Sequence, residues 1–149
     1  MSAYKTILIA IDLNGNPEQV LARAKPIVSD QGSTIHVLNV CADPEYLYMA
    51  YPVYAGHTLD FDLTGQRDSA REKMNSLVTE ADLSEANIIA KTGSATNIIL
   101  DHAEELGADL IIMGSHGRRG VRLLLGSTAN GVLHRAKCDV LAVRISEAK

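Results

Sequence analysis

The sequence predicts an α/β protein: an open, doubly wound, five-stranded parallel sheet in the order 3-2-1-4-5, with helices on both faces. Its apolar runs are nearly continuous, as in strands that are covered on both faces. These runs alternate with helical segments in the order βαβ, a long loop, then αβαβαβ. Because crossovers between parallel strands are right-handed, this order predicts a doubly wound sheet. No linker or internal repeat divides the 149 residues, so we expect one domain over residues 1–149.

Four strong apolar runs and one weaker run predict the strands. The strong runs are Thr6–Asp12, Thr34–Val40, Asp109–Gly114 and Asp139–Arg144, and the weaker run is Asn87–Thr92. Three of the strong runs are apolar almost throughout, whereas the second alternates more.

The first helix has a clear start signal. Asn16 is a candidate N-cap, Pro17 occupies the first helical position and Gln19 lies three residues after the cap, a combination typical of helix starts. Pro26 is predicted to kink or end this helix, because a proline removes a backbone donor and clashes with the preceding turn.

Three further helices follow along the chain. Apolar residues recur at spacings of three, four and seven between Asp62 and Leu83, as on one face of a long amphipathic helix. Ser94 is predicted to cap the third helix and Gly107 to end it. The fourth helix is predicted over Ser127–Ala136.

Composition narrows the classes of function. The formal net charge of −4 argues against a nucleic-acid partner, since such proteins are usually basic. Cys41 and Cys138 lie far apart without metal-ligand spacing, which favours two reduced cysteines over a disulfide. The sequence has neither a cleavage signal nor 18 consecutive apolar residues. We therefore predict a cytoplasmic protein without membrane insertion.

The segment Met113–Asn130 combines glycines with positive charge. Gly114, Gly117 and Gly126 allow a ligand to approach the backbone closely, and Gly126–Thr128 begins a helix whose free N–H groups and hydroxyls suit an anion. Residues 110–146 carry six Lys and Arg against one Asp, which also favours an anion. The pattern alone leaves two interpretations open, a phosphate site or a simple turn with solvated arginines.

The predicted topology places this segment beside Asp12. In doubly wound sheets ligands bind beyond the carboxyl ends of the strands, where the strand order reverses. Here that crevice lies between strands one and four, whose following loops begin at Asp12 and Gly114. Asp12 either contacts a ligand or caps its own loop.

Two familiar phosphate-binding motifs do not match this chain. A P-loop is excluded, since G-x-x-x-x-G-K-[ST] is absent, and the glycines differ from the dinucleotide fingerprint.

Three stretches resemble the universal stress protein superfamily over nearly the whole chain: "KTILIAIDL", "GSHGRRG" and "LLLGSTANGVLHRAKCDVLAVR". The family's nucleotide-binding members are similar in carrying G-x2-G, nine residues, then G-[ST] after strand four. This chain has eight residues between Gly117 and Gly126, and resembles the F and G branch with its shortened loop. Because the deletion falls near the phosphates, we expect ATP to gain less affinity over adenosine than it does with the longer loop.

The resemblance implies ATP, with Mg²⁺, as the ligand. It places Asp12 at the ribose or adenine, Val40 at the adenine, and the residues after strand four beside the ribose and phosphates. The implied contacts are Ala10, Ile11, Asp12, Val40, Met113, Gly114, His116, Gly117, Gly126, Ser127 and Thr128.

The leading prediction is a binding module whose nucleotide sets its conformation or its choice of an unidentified protein partner. The alternative is a slow ATPase or autophosphorylating phosphotransferase with Ser127, Thr128 or His116 as acceptor. No base is assigned and no carboxylate pair for magnesium is present, which disfavours efficient phosphoryl transfer. A receiver domain is excluded, because the third strand ends in "KTGS" rather than an aspartate and the fifth in Arg144 rather than a lysine.

Two further segments bear on partners. Strand five is predicted at a sheet edge, and the few residues after it are too short to cover that edge. This arrangement predicts an antiparallel homodimer through strand five, and the family resemblance implies the same dimer. The stretch Asp43–Phe61 carries four of the five tyrosines, and is interpreted equally well as an interface or as a cluster covering the second helix.

Overall fold

The computed structural model describes residues 4–28, 32–41, 63–115 and 125–146. The tyrosine-rich stretch Asp43–Phe61 therefore lies outside the described residues. The elements in chain order are β1 (Thr6–Ala10), α1 (Pro17–Val28), β2 (Thr34–Cys41), α2 (Leu63–Glu80), β3 (Asn87–Thr92), α3 (Ala95–Leu106), β4 (Leu110–Gly114), α4 (Ser127–Arg135) and β5 (Asp139–Val143). None of the described helices is both long and apolar enough to cross a membrane.

The five strands form one parallel sheet in the order β3-β2-β1-β4-β5, which confirms the predicted class and topology. Ile9 pairs with Val37 of β2 on one side and with Ile112 of β4 on the other. The strand order reverses at β1, because the chain leaves it first toward β2 and returns later to β4 on its other side. The weaker apolar run Asn87–Thr92 is strand β3, as predicted.

Each face of the sheet has its own core, because successive residues of a strand point to opposite faces. Ile7 and Ile9 of β1 pack in a first core with α1 and α2. Leu8 and Ala10 of the same strand pack in a second core with α3 and α4. This two-sided burial explains why the strand sequences are apolar without alternation.

Some predicted boundaries differ from those observed. The sequence predicts that Pro26 kinks or ends α1. The helix includes Pro26 and continues to Val28, so Pro26 does not end it, and a kink there stays a prediction. Strand β1 ends at Ala10 rather than Asp12; the Ile11 N–H still donates to the Leu38 carbonyl at 2.9 Å, after which the chain turns.

The predicted helix termini agree better with the structure than the predicted cap chemistry does. Gly107 ends α3 in the left-handed conformation with φ 65° and donates to the carbonyls of Ala103 and Glu104, as predicted. Ser94 occupies the N-cap position of α3, yet its side chain makes no capping hydrogen bond. Its backbone carbonyl instead accepts the N–H of Ile98 at 2.9 Å.

The start of the sheet is held by Asp109, whose carboxylate accepts the backbone N–H groups of Lys5 at 2.8 Å and Thr6 at 3.0 Å. We expect Asp109→Ala to lower the free energy of unfolding by about 2 kcal/mol, because it leaves two donors at the start of β1 without their acceptor. Urea titration measures this change. Asp101→Ala, at an exposed position of α3, is the matched control; equal stability of the two variants would contradict the assigned role.

Candidate crevice at the carboxyl ends of the strands

A cavity of about 920 Å³ lies at the carboxyl ends of β1, β2 and β4. This is the edge where the strand order reverses, and ligands of doubly wound sheets bind at that point. Its volume lies in the upper part of the range of small-molecule sites, roughly 300–1,000 Å³. The fold thus creates the crevice that its topology predicts.

All the predicted site residues that the structure describes line this one cavity. They are Ala10, Ile11, Asp12, Val40, Met113, Gly114, Gly126, Ser127 and Thr128. His116 and Gly117, predicted beside the phosphates, lie outside the described residues. Residues separated by more than a hundred positions in sequence therefore share a single surface.

Asp12 stands at the wall formed by the end of β1. Its Oδ1 accepts the Asn14 N–H at 3.0 Å and its carbonyl accepts the Gly15 N–H at 3.0 Å. The loop-capping role considered for this residue is therefore present. Its Oδ2 accepts no hydrogen bond from the part of the chain that the structure describes, and the residue is exposed at the cavity wall. Capping its loop thus leaves Asp12 with one free acceptor for a ligand.

The start of α4 supplies donors to the opposite wall. Gly126 is the N-cap and no side chain caps the helix. The first helical hydrogen bond runs from the Asn130 N–H to the Gly126 carbonyl at 2.9 Å. The N–H groups of Ser127, Thr128 and Ala129 consequently have no acceptor within the helix. Together with the positive end of the helix dipole they form a local environment that favours an anion.

Ser115 holds this donor group against the sheet, and sequence reasoning missed it. The residue is buried, its N–H donates to the Val143 carbonyl at 2.8 Å, and its carbonyl accepts the Gly126 N–H at 2.7 Å. One residue therefore joins the end of β5 to the N-cap of α4. A serine following an apolar strand gives no sequence signal for such a bridging position.

Helix α2 forms a further wall that the sequence did not indicate. Its cavity-lining residues lie on one helical face: Gly65, Gln66, Ser69, Ala70 and Lys73. Gln66, Ser69, Ala70 and Lys73 are separated by three, four and seven residues, and this spacing could have indicated a shared helical face. Polar residues at such spacings, however, usually mark a face exposed to solvent.

Two polar residues near the end of β2 were also missed. Asn39 is only 4% exposed, and its Nδ2 donates to the Cys41 Sγ at 3.6 Å. Both residues are among those that line the cavity, and the predicted adenine contact Val40 stands between them in the sequence of β2. Cys41 is a free thiol, as is Cys138. The described residues contain no group of three or more His, Cys, Asp or Glu that could hold a metal ion.

The fold and the crevice define a doubly wound α/β protein with a ligand cavity at its topological switch point. The model of the universal stress protein family matches residues 3–144. The chain belongs to the universal stress protein family.

One relative and one solved structure are similar to this chain over nearly its full length. "Universal stress protein A homolog 2" of Coxiella burnetii is 40% identical over 146 residues, covering 97% of this chain and 98% of the relative. The solved structure of "hypothetical protein MJ0577" is 25% identical, with a TM-score of 0.75 and coverage of 97% and 99% of the two chains.

Two other similar structures contain nucleotides. A universal stress protein in complex with cAMP has a TM-score of 0.64 at 22% identity, covering 95% of this chain and 98% of that one. The universal stress protein from Archaeoglobus fulgidus in complex with dAMP has a TM-score of 0.58 at 24% identity, covering 96% and 99%. At these identities the likeness shows the shared fold.

Proposed function

We propose that this chain binds ATP in the crevice between β1 and β4 and acts as a nucleotide-dependent regulatory module in the cytoplasm. The observation that carries the proposal is the pairing of two complementary walls in one cavity. The uncapped start of α4 offers N–H donors on one side, and Asp12 offers a free carboxylate oxygen on the other. An anionic group joined to hydroxyl groups matches this arrangement.

The proposed orientation follows from the chemistry of the walls. Phosphate oxygens accept the N–H groups of Ser127, Thr128 and Ala129, as anions do at helix starts. The ribose hydroxyls donate to Asp12, and the base lies against the apolar side chain of Val40 near the end of β2. The cAMP and dAMP complexes of proteins with the same fold support an adenine nucleotide as the ligand class.

Magnesium fits this proposal as part of the ligand. Asp12 is the single carboxylate among the described residues that line the cavity, and Mg²⁺ is commonly held by one or two carboxylates together with substrate phosphates. The metal would neutralise phosphate charge when bound. Asp12 would orient the nucleotide either as a ligand of that metal or through the ribose hydroxyls.

Calorimetric titration tests the proposal. We expect saturable ATP binding with a Kd below one millimolar in the presence of magnesium, and adenosine binding that is weaker by about tenfold or less. The small ratio follows from the shortened loop between Gly117 and Gly126. Absence of both a heat signal and thermal stabilisation with ATP would contradict nucleotide binding. A separate timed assay of ADP release distinguishes a binding module from a slow ATPase.

We also propose that two copies of the chain pair through β5. This strand is the last in the sheet order and pairs only with β4 among the described strands. Val140, Leu141 and Ala142 in its middle remain partly exposed. An isologous antiparallel contact with a second β5 would satisfy the outward backbone groups and cover these side chains.

A further inference from the structure

We infer that Lys73 of α2 contributes to nucleotide affinity by donating a hydrogen bond to the base of the bound nucleotide. The inference rests on the proposed nucleotide binding. Among the described residues that line the cavity, Lys73 and Asp12 alone carry a charge. Lys73 forms no ion pair within the described part of the chain. Within the described part of the chain, Lys73 is therefore an exposed, cavity-lining cation without an ion-pair partner, and its donors remain available to a ligand.

The topology places Lys73 far from the proposed phosphate position. Helix α4 packs in the second core and contacts β5, whereas α2 packs in the first core and contacts β2 and β3. The two helices thus lie on opposite faces and over opposite halves of the sheet. A ligand with its phosphates at the start of α4 passes Asp12 at the centre and directs its other end toward α2.

The cavity-facing side of α2 suits the edge of a purine. Gln66, Ser69 and Lys73 lie three to seven residues apart on one face, beside the buried Ala70 that anchors the helix in the core. An ammonium group has three donors and no acceptor. The adenine ring presents nitrogen acceptors along its edges, and these would otherwise lose their water partners on entering the cavity.

Lys73→Met tests this inference, because methionine retains much of the apolar stem and removes the charge. We expect Kd to rise about three- to tenfold for ATP and equally for adenosine, since both carry the base; a partly exposed hydrogen bond to a charged donor accounts for an effect of this size. Binding of inorganic tripolyphosphate should not change. Arg71→Met is the matched control, since Arg71 is an exposed cation of the same helix that does not line the cavity.

The three probes give distinguishable outcomes. Loss of affinity for ATP and tripolyphosphate with adenosine unaffected would show that Lys73 faces the phosphates, and would overturn the inference. Equal Kd values for Lys73→Met and the wild type would overturn it as well, while leaving the proposed function intact. A wild-type chain that binds neither ATP nor adenosine would overturn the proposed function itself and this inference with it.

Discussion

Ser127→Asp is expected to weaken ATP binding about tenfold, to the level of adenosine, while leaving the protein at least as stable as the wild type. Ser127 is exposed at the first position of α4. A carboxylate there interacts favourably with the helix dipole, which contributes about 0.5 kcal/mol of stability. The same carboxylate repels a phosphate about 4 Å away by about 3 kcal/mol in a partly desolvated site, which is enough to cancel what the phosphates add to the affinity of adenosine. Stability and binding thus change in opposite directions.

Ser127→Asn provides the control for that change. Asparagine has nearly the same size as aspartate, is neutral, and keeps the backbone N–H that the proposal assigns to the phosphate. Calorimetry should give an ATP Kd for this variant within about threefold of the wild type, and adenosine should bind both variants nearly as well as the wild type. A folded Ser127→Asp protein with wild-type affinity for ATP would place the phosphates away from α4.

Ala142→Pro is expected to convert the proposed dimer into a folded monomer. The Val143 carbonyl accepts the Ser115 N–H, so Val143 directs its backbone groups toward the β4 side of β5. Backbone groups of successive strand residues point to opposite sides, and the N–H of Ala142 therefore faces outward from the sheet. Proline is tolerated on an edge strand at such a position, and it removes a donor that the proposed partner strand needs.

Light scattering coupled to size exclusion measures this effect at micromolar concentration. The wild type and the control Ala142→Val, which keeps the N–H and favours a strand, should both run as dimers. Ala142→Pro should run as a monomer with an unchanged circular dichroism spectrum. A monomeric wild type would contradict pairing through β5, and so would a dimeric Ala142→Pro.

The sheet could be predicted because its signals are local and redundant. Strand β1 is apolar on both faces, which only a two-sided core explains, and Gly107 ends α3 in the conformation that glycine favours. The exceptions depend on tertiary context. Helix α1 continues through Pro26 because Val28, two residues later, is still buried in the first core, and such packing stabilises a helix more than propensity does.

The site could be predicted only where it coincides with strand ends and the glycine segment. Asp12 and Gly126 follow from the rule that ligands bind beyond the carboxyl ends of parallel strands. Ser115 and Lys73 could not be found in this way. Ser115 acts through its backbone, which any residue possesses, and the position of Lys73 depends on how α2 lies against β2 and β3.

Amide chemical-shift mapping of the labelled chain during titration with ATP and with adenosine tests the central claim most directly. We expect saturating shifts at Ser127, Thr128 and Ala129 with ATP alone, and at Ile11 and Val40 with both ligands, at ligand concentrations below a millimolar. Absence of saturable chemical-shift changes with either ligand would contradict the placement of a nucleotide in this crevice. So would an ATP titration in which the amide signals of Ser127, Thr128 and Ala129 do not change.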